Sequence, residues 1–273
     1  MQRLQLAQVL KKRPKWGLPR LRRQIPDLPK NATATYIRRA KSVLARRRRR
    51  NWRQLDWHVP GAVWAIDGTW MDRPVDGRGR RALVVVELHS RKTLALSSVA
   101  GERAPAVIAL LTKLIARHGA PLVLKADNGS AFTARSVASF CQRHGITLLH
   151  SPVRRPRWNG TCEVSGRWAK KRTTEAMLRR GSATLSQCDL DAAVGIVEAL
   201  PPVDAVLRAH FAEVVVQQLH GVAVERGLAI VGPLRDHARR SLERVAIQRA
   251  LQLCHILTIR GRAYQQWLPA PAA

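Results

Sequence analysis

Acidic side chains are scarce in this chain, 18 Asp and Glu against 48 Lys and Arg in 273 residues. Where they coincide with the ends of predicted elements is therefore informative. Asp67 falls at the end of a predicted strand, Asp127 directly follows another, and Glu163 lies in the first turn of a helix predicted to begin after Asn159-Gly160. Each acid alone is also what a helix cap or a surface ion pair looks like; the joint placement selects a different reading. Three carboxylates brought to one point repel one another, and that cost is offset only by a cation between them. Hard oxygen ligands select Mg2+ or Mn2+. Two such ions about 4 Å apart activate a water or sugar hydroxyl and stabilise the leaving oxygen of an in-line displacement at phosphorus. The chemistry indicated is phosphoryl transfer on nucleic acid, with Asp67, Asp127 and Glu163 as catalytic residues and metal ligands.

For these residues to meet, the elements that carry them must neighbour one another. Ala62 to Asp67, Arg81 to Leu88 and Thr93 to Ala100 read as strands separated by turn-rich segments, Asp76-Gly77-Arg78-Gly79 and His89-Ser90-Arg91, which predicts an antiparallel meander. Ala104 to His118 carries Val107, Ile108, Leu110, Leu111, Leu114 and Ile115 at helical spacing, and Gly119-Ala120-Pro121 ends it. A strand over Pro121 to Ala126, a helix over Ala131 to His144 and a strand over Ile146 to His150 complete the order βββαβαβ. That order suits a mixed α/β sheet with helices on its faces. Strands one and four can then lie side by side, which brings Asp67 to Asp127, and Glu163 approaches from the covering helix, Thr161 to Arg179.

Beyond Gly181 helices are predicted over Asp189 to Leu200, Ala205 to His220 and Ser241 to Leu253. Ile256 to Ile259 and Arg262 to Trp267, joined by Arg260-Gly261, read as a hairpin. Helix plus basic hairpin is either a small winged-helix DNA binder or a tail packed on the core.

The charge balance names the partner. A formal net charge of +30 is self-repelling unless something anionic neutralises it, and phosphate backbones are the commonest such partner. The first 58 residues hold 18 Lys and Arg against Asp27 and Asp56. They contain a predicted helix at Leu18 to Gln24 and a second at Thr33 to Arg50, ending in Arg46, Arg47, Arg48, Arg49 and Arg50. That run is either phosphate-binding or a solvated helix end. Hydrophobic residues make up 46% of the chain, enough for a real core, which excludes wholesale disorder. A charge-free run such as Val214 to Val224 is far below the roughly 20 apolar residues that span a bilayer, so no membrane helix is expected. No signal-peptide pattern is present, and a cytoplasmic protein is expected. Cys141, Cys162, Cys188 and Cys254 lack the spacing of zinc pairs and read as reduced thiols. Trp64, Trp158 and Trp168 read either as partly buried anchors or as base-stacking platforms, and His89, His118, His144 and His150 as element ends rather than ligands.

Several segments, in order, resemble one known family, the DDE integrases and transposases, whose catalytic core is shared by retroviral integrases and bacterial insertion-sequence transposases. Trp64-Ala65-Ile66-Asp67-Gly68-Thr69 looks like the family's first-aspartate motif and Lys125-Ala126-Asp127-Asn128-Gly129-Ser130-Ala131-Phe132 like its second. Ser151-Pro152 through Arg155-Pro156, then Asn159-Gly160 and Glu163, is similar to the run leading to its glutamate, and 35 residues lie between Asp127 and Glu163. The match is good over Trp57 to about Thr173 and looser in the leader and tail. Gly68, Trp70 and Glu87 depart from the usual pattern without removing a ligand, and the leader has no His or Cys for a zinc module.

The resemblance implies a ribonuclease H-like fold, a mixed five-stranded sheet flanked by helices, with a basic helical leader at 1–58, an integrase core at 59–180 and a helical or winged region at 181–273. It implies a DNA transposase or integrase that cleaves 3′ ends and joins strands with Mg2+ or Mn2+ as a homo-oligomer on DNA in a bacterial cytoplasm. Arg167, Lys170 and Lys171 would contact DNA beside Glu163, with Asn128 and Asn159 shaping the turn and the loop near the metals. The leader is shorter than the helix-turn-helix region of many bacterial members, so end recognition by a separate partner chain is also open. Two alternatives accompany this reading: a decayed or domesticated nucleic-acid binder without catalysis, and a ribonuclease H-like nuclease without strand transfer.

Overall fold

The structure, a computed structural model, describes residues 54–77, 79–152, 160–226 and 236–260, together with 8–9, 12, 16–24, 31, 34–35, 37–39 and 42 near the N-terminus. It divides into a unit formed by Met1–Leu55 with Ile259–Ala273 and a larger one, Asp56–Thr258. In the first, α1 spans Leu18–Gln24 as its sequence predicts, with Leu21 and Ile37 buried. Most of the predicted helix Thr33 to Arg50, including Arg46 through Arg50, lies outside the described residues, as does the second arm of the terminal hairpin, Arg262 to Trp267.

A short strand that the sequence does not signal, β1 (Gln54–Trp57), is followed by β2 (Val63–Val75), β3 (Gly79–Glu87) and β4 (Thr93–Val99). The meander is antiparallel as expected, with Trp64 opposite Glu87 and Val84 opposite Leu96. β2 is twice the expected length. Its second half, Asp72, Arg73 and Pro74 included, lies beyond the expected strand, yet the ladder with β3 continues through Trp70 and Arg81 and resumes, after a shift of register, at Val75 and Gly79. Asp76 and Gly77, with φ of 50° and 67°, supply the left-handed backbone that closes a hairpin tightly.

Helix α2 (Ala104–His118) carries Pro105 in its first turn, where no N–H is needed, and stops at Gly119, whose φ is 75°. Then come β5 (Val123–Ala126), α3 (Ser130–Thr133), α4 (Arg135–Arg143) and β6 (Thr147–His150). The single helix expected over Ala131 to His144 is two, because Ala134 is extended, with φ −63° and ψ 138°. The break turns Phe132 and Phe140 into the same core. The sheet order is β4-β3-β2-β5-β6, with β2–β5 and β5–β6 parallel: the mixed five-stranded, ribonuclease H-like arrangement.

On one face of this sheet Trp64, Ile66, Leu83, Val85, Leu124 and Ala126 pack against Val107, Leu111, Phe132, Val137 and Phe140 of α2, α3 and α4. Over the other face lies α5 (Gly160–Arg179), which buries Cys162, Gly166, Ala169, Thr173 and Met177. The spacing of those residues is a helical stripe of mostly small side chains, and it permits close approach. At Gly166 a β-carbon would sit 3.6 Å from Thr69 Oγ1, so the helix that carries Glu163 rides close over the strand that carries Asp67.

Helix α6 (Gln187–Val194) starts earlier and stops sooner than the expected Asp189 to Leu200. Ser186 and Asp189 form a reciprocal capping box and Gly195, with φ of 74°, closes the other end. Helix α7 (Ala205–Glu225) is capped by the Asp204 carboxylate, which accepts from Leu207 N, and runs through Gly221 past the expected end. Helix α8 (Asp236–Leu253) precedes β7 (Leu257–Arg260), which pairs with β1. No helix among the described residues is long and apolar enough to cross a membrane.

Candidate active site

Parallel register brings the two aspartates to one edge of the sheet. β2 and β5 pair Val63 with Val123, Trp64 with Leu124 and Ala65 with Lys125. Asp67 and Asp127 each lie two residues beyond the last pair, so the same register sets them side by side, Asp127 just past the end of β5 and Asp67 within β2, which runs on along β3. Asp67 Oδ1 accepts a hydrogen bond from Gly68 N at 3.0 Å, and Asp127 Oδ1 accepts one from Gly129 N at 2.8 Å. The turn after Asp127 is fixed further: Asn128 Nδ2 donates to Ser151 O at 2.6 Å, and His150 Nδ1 donates to Asp127 O at 3.0 Å. Burial pushes the His150 imidazole pKa down, consistent with a neutral ring whose proton sits on Nδ1.

Glu163 enters from the first turn of α5. With Asp67, Gly68, Thr69, Val84, Cys162, Gly166, Arg167 and Lys170 it lines a depression of about 430 Å³. Two carboxylates and two cations thus share one surface. Arg167 and Lys170 follow Glu163 by four and seven residues, one face of a helix. Lys171 is turned elsewhere, with its Nζ 5.8 Å from the Trp168 ring centroid and 4.0 Å from Glu175 Oε1. Asp127 does not line the depression, and among the described residues no three His, Cys, Asp or Glu side chains are grouped to hold a metal. Asn159 and Trp158 lie outside the described residues. A larger hollow, about 560 Å³, bounded by β4, α2 and α6, also carries two carboxylates, Asp76 and Asp191, beside Lys113 and Arg117; the chemistry is assigned to the smaller depression because there the β2–β5 register sets a further acid, Asp127, next to Asp67. The donor set at Asp67 and Glu163, with Asp127 at the neighbouring strand end, is all hard oxygen and fits Mg2+ or Mn2+.

Two groups here were not singled out by sequence reasoning. Lys125 is buried on β5 in a run, Val-Leu-Lys-Ala, whose four residues are all inaccessible. Burial holds its ammonium pKa down at about 8, against which the nearby Cys162 and Asp67 pull it up. Its signal in the sequence is a charge in the middle of an apolar strand. Burial also pushes the Cys162 thiol up to about 12, so it stays protonated and inert. The second group is Glu102, between β4 and α2, whose carboxylate lies beside Gly68 and Gly129; nothing in Gly101-Glu102-Arg103 marks it. Of the tryptophans, Trp64 is a fully buried anchor, whereas Trp168 is 59% exposed on α5.

Residues 58–156 match the family model described as integrase core domain. The uncharacterized 39.2 kDa protein of insertion element IS476 from Xanthomonas euvesicatoria is 28% identical over 88 residues, which is 32% of this chain and 25% of the relative. The chain thus spans about a quarter of the length of that curated relative. Among solved structures, the catalytic core domain of BIV integrase is 25% identical with a TM-score of 0.41, covering 49% of this chain and 81% of the other. The HTLV-2 integrase catalytic core domain in complex with magnesium is 20% identical with a TM-score of 0.41, over 50% of this chain and 85% of the other. A simian T-cell lymphotropic virus intasome in complex with a PP2A regulatory subunit is 17% identical with a TM-score of 0.44, over 69% and 66%. On the family model, residues 58–156 of this chain are similar to the integrase core family.

Proposed function

We propose that the chain is a DNA strand transferase of the transposase type, in which Asp67, Asp127 and Glu163 hold two divalent cations. The observation that carries this reading is the convergence of Asp67, Glu163, Arg167 and Lys170 on one depression, with the β2–β5 register setting Asp127 beside Asp67. Bound there, Mg2+ or Mn2+ would polarise a phosphate oxygen and lower the pKa of the attacking hydroxyl. The chain's own residues supply the rest. Arg167 and Lys170 neutralise phosphates flanking the scissile bond and fix the strand over the carboxylates. Lys171 and the arginines 46–50 extend the contact to duplex outside the centre, as expected for a protein with a net charge of +30. Asn128 holds the Asp127 turn against the end of β6, and Asn159, four positions before the glutamate in sequence, is assigned to the DNA contact.

In the first reaction water attacks phosphorus and the P–O3′ bond breaks, leaving a 3′-hydroxyl on the element and a 5′-phosphate on the flank. In the second that 3′-oxygen attacks a target phosphorus and expels the target's own 3′-oxygen, so bonds and charge balance with no external energy source. Two element ends must be joined in concert, so the working form is a homo-oligomer on DNA. Residues 1–58 act as a DNA-binding leader, 59–180 as the catalytic core and 181–273 as a helical C-terminal region, with ends read by the leader or by a separate chain.

The test is product analysis on labelled duplex DNA with a recessed 3′ end, in Mg2+ and in Mn2+. Joined products longer than the substrate support strand transfer. Cleavage without joining replaces it with a nuclease, and salt-sensitive binding with neither product leaves a nucleic-acid binder.

A further inference from the structure

Gly68 and Trp70, the two unusual residue types after the first aspartate, prove to be parts of one arrangement around Glu102. A β-carbon at position 68 would collide with Glu102 Oε2 and lie 2.6 Å from Cδ and 3.0 Å from Oε1, so the Glu102 side chain fills the space that a larger residue would take. A β-carbon at position 129 would lie 3.3 Å from Glu102 Oε1 and 3.0 Å from Asp127 Oδ1. Glu102 therefore reaches from the backbone just after Asp67 to the turn that holds Asp127. Its charge is met by Arg81, with Nη1 3.5 Å from Oε2. Arg81 stands opposite Trp70 in the β2–β3 ladder, its guanidinium carbon 4.1 Å from the Trp70 ring centroid. A third acid beside two aspartates raises their mutual repulsion, and it is tolerated where a guanidinium, itself seated on an aromatic face, compensates it.

We infer that Glu102 is a positioning residue of this site: seated over Gly68 and held by Arg81 on Trp70, it fixes β2 at Gly68 against the Asp127 turn. It thereby sets how Asp67 and Asp127 present their oxygens to a divalent cation. The inference rests on the carboxylate reading proposed above. Residues that orient metal ligands from behind typically change metal affinity 10- to 100-fold when removed. Gly68 and Glu102 should then act as one unit. Gly68 is not among the residues with positive φ, and the atoms nearest an alanine β-carbon there are those of the flexible end of Glu102, which it would displace.

The experiment measures Mn2+ affinity of the full chain without DNA, from the electron paramagnetic resonance of free Mn2+. It compares wild type with Asp67→Asn, Gly68→Ala, Glu102→Ala, Glu102→Gln and the double variant Gly68→Ala/Glu102→Ala. Amide exchange of residues 127–130 in EDTA is read on the same proteins. Asp67→Asn should abolish tight binding. Gly68→Ala and Glu102→Ala should each weaken it roughly tenfold, the double variant no further, and Glu102→Gln less than Glu102→Ala. The Gly129 amide, bonded to Asp127, should exchange faster in both single variants. If Asp67→Asn loses the ion while Gly68→Ala and Glu102→Ala keep wild-type affinity, or their losses multiply in the double variant, the positioning role is overturned and the carboxylate reading survives. If Asp67→Asn binds Mn2+ as wild type does, the carboxylate reading itself fails, and with it any role for Glu102 toward that ion.

Discussion

Replacing Lys125 by methionine should make the protein more stable at neutral pH, and the gain should disappear in alkali. Lys125 is 5% exposed on β5, and burial lowers its pKa from 10.5 to about 8. In the unfolded chain the ammonium titrates near its ordinary value. Because the folded value lies below the unfolded one, the unfolded chain binds more protons between pH 8 and 10.5, and stability rises with pH across that window. Below about pH 8 the fold carries a buried charge at a cost of about 3 kcal/mol, from 1.36 kcal/mol per pH unit over the gap. Methionine keeps most of the volume and has no charge to desolvate. Urea unfolding of the full chain in EDTA, at intervals from pH 7 to pH 10, gives the assay. Lys125→Met should exceed wild type by up to about 3 kcal/mol at pH 7, with the gap shrinking to about 1 kcal/mol by pH 10. The Cys141 thiol, pushed up to about 12 by burial, adds stability that is present below pH 9 and lost toward pH 12; both proteins carry it, so it cancels in the difference. A gap that does not change with pH would refute the reasoning. So would a mutant less stable at pH 7, which would mean that attraction to Asp67 outweighs desolvation.

Charge reversal at the depression gives a second test: Arg167→Glu and Lys170→Glu should each weaken DNA binding and reduce the slope of log affinity against log salt by about one. Fluorescence anisotropy at several salt concentrations measures it, and unchanged slopes in both would remove these residues from the interface. Arg180 binds both oxygens of Asp189, at 3.0 and 2.7 Å, and holds that carboxyl down at about 2. The folded value is depressed, so this stability is present above about pH 4 and lost as pH falls through 2; Arg180→Ala should lower Tm by a few degrees at pH 7 and shift acid unfolding to higher pH, seen by circular dichroism. Arg208 donates to the carbonyls of Ala120, Pro121 and Gly145, tying α7 to two loops of the sheet. Its replacement by alanine should cost about 2 kcal/mol in urea unfolding, and a loss below 0.5 kcal/mol would show those carbonyls to be equally well hydrated.

The sheet was legible because its signals are local. Apolar runs such as Leu83 to Val86, punctuated by Asp76-Gly77 and Ser90-Arg91, specify strand and turn together, and the βββαβαβ order then limits which strands can be neighbours. The second half of β2 was not legible: Met71 to Val75 has no clean alternation, and only pairing with β3 makes it strand. The break at Ala134 has no Gly or Pro to announce it; it follows from the need to aim Phe132 and Phe140 into one core. Helix α6 ended early at Gly195, a stop signal passed over in favour of the apolar residues beyond it. At the site, Asp67, Asp127 and Glu163 stood out because acids are rare and each falls at the end of a predicted element, although β2 in fact runs on past Asp67 to Val75. Glu102 did not, because its meaning depends on the missing side chain of Gly68, thirty-four positions away, and on Arg81 across a strand. Such dependence is tertiary and leaves no spacing to read.

The claim that these carboxylates perform metal-dependent chemistry on DNA is tested most directly at Asp127, held at the strand end by its bond to Gly129. Joining of a labelled recessed end in Mg2+ should be complete in the wild type, absent with EDTA, and undetectable in Asp127→Asn, while the mutant's salt-sensitive DNA binding remains. Joining by Asp127→Asn at the wild-type rate, or by the wild type in EDTA, would contradict it.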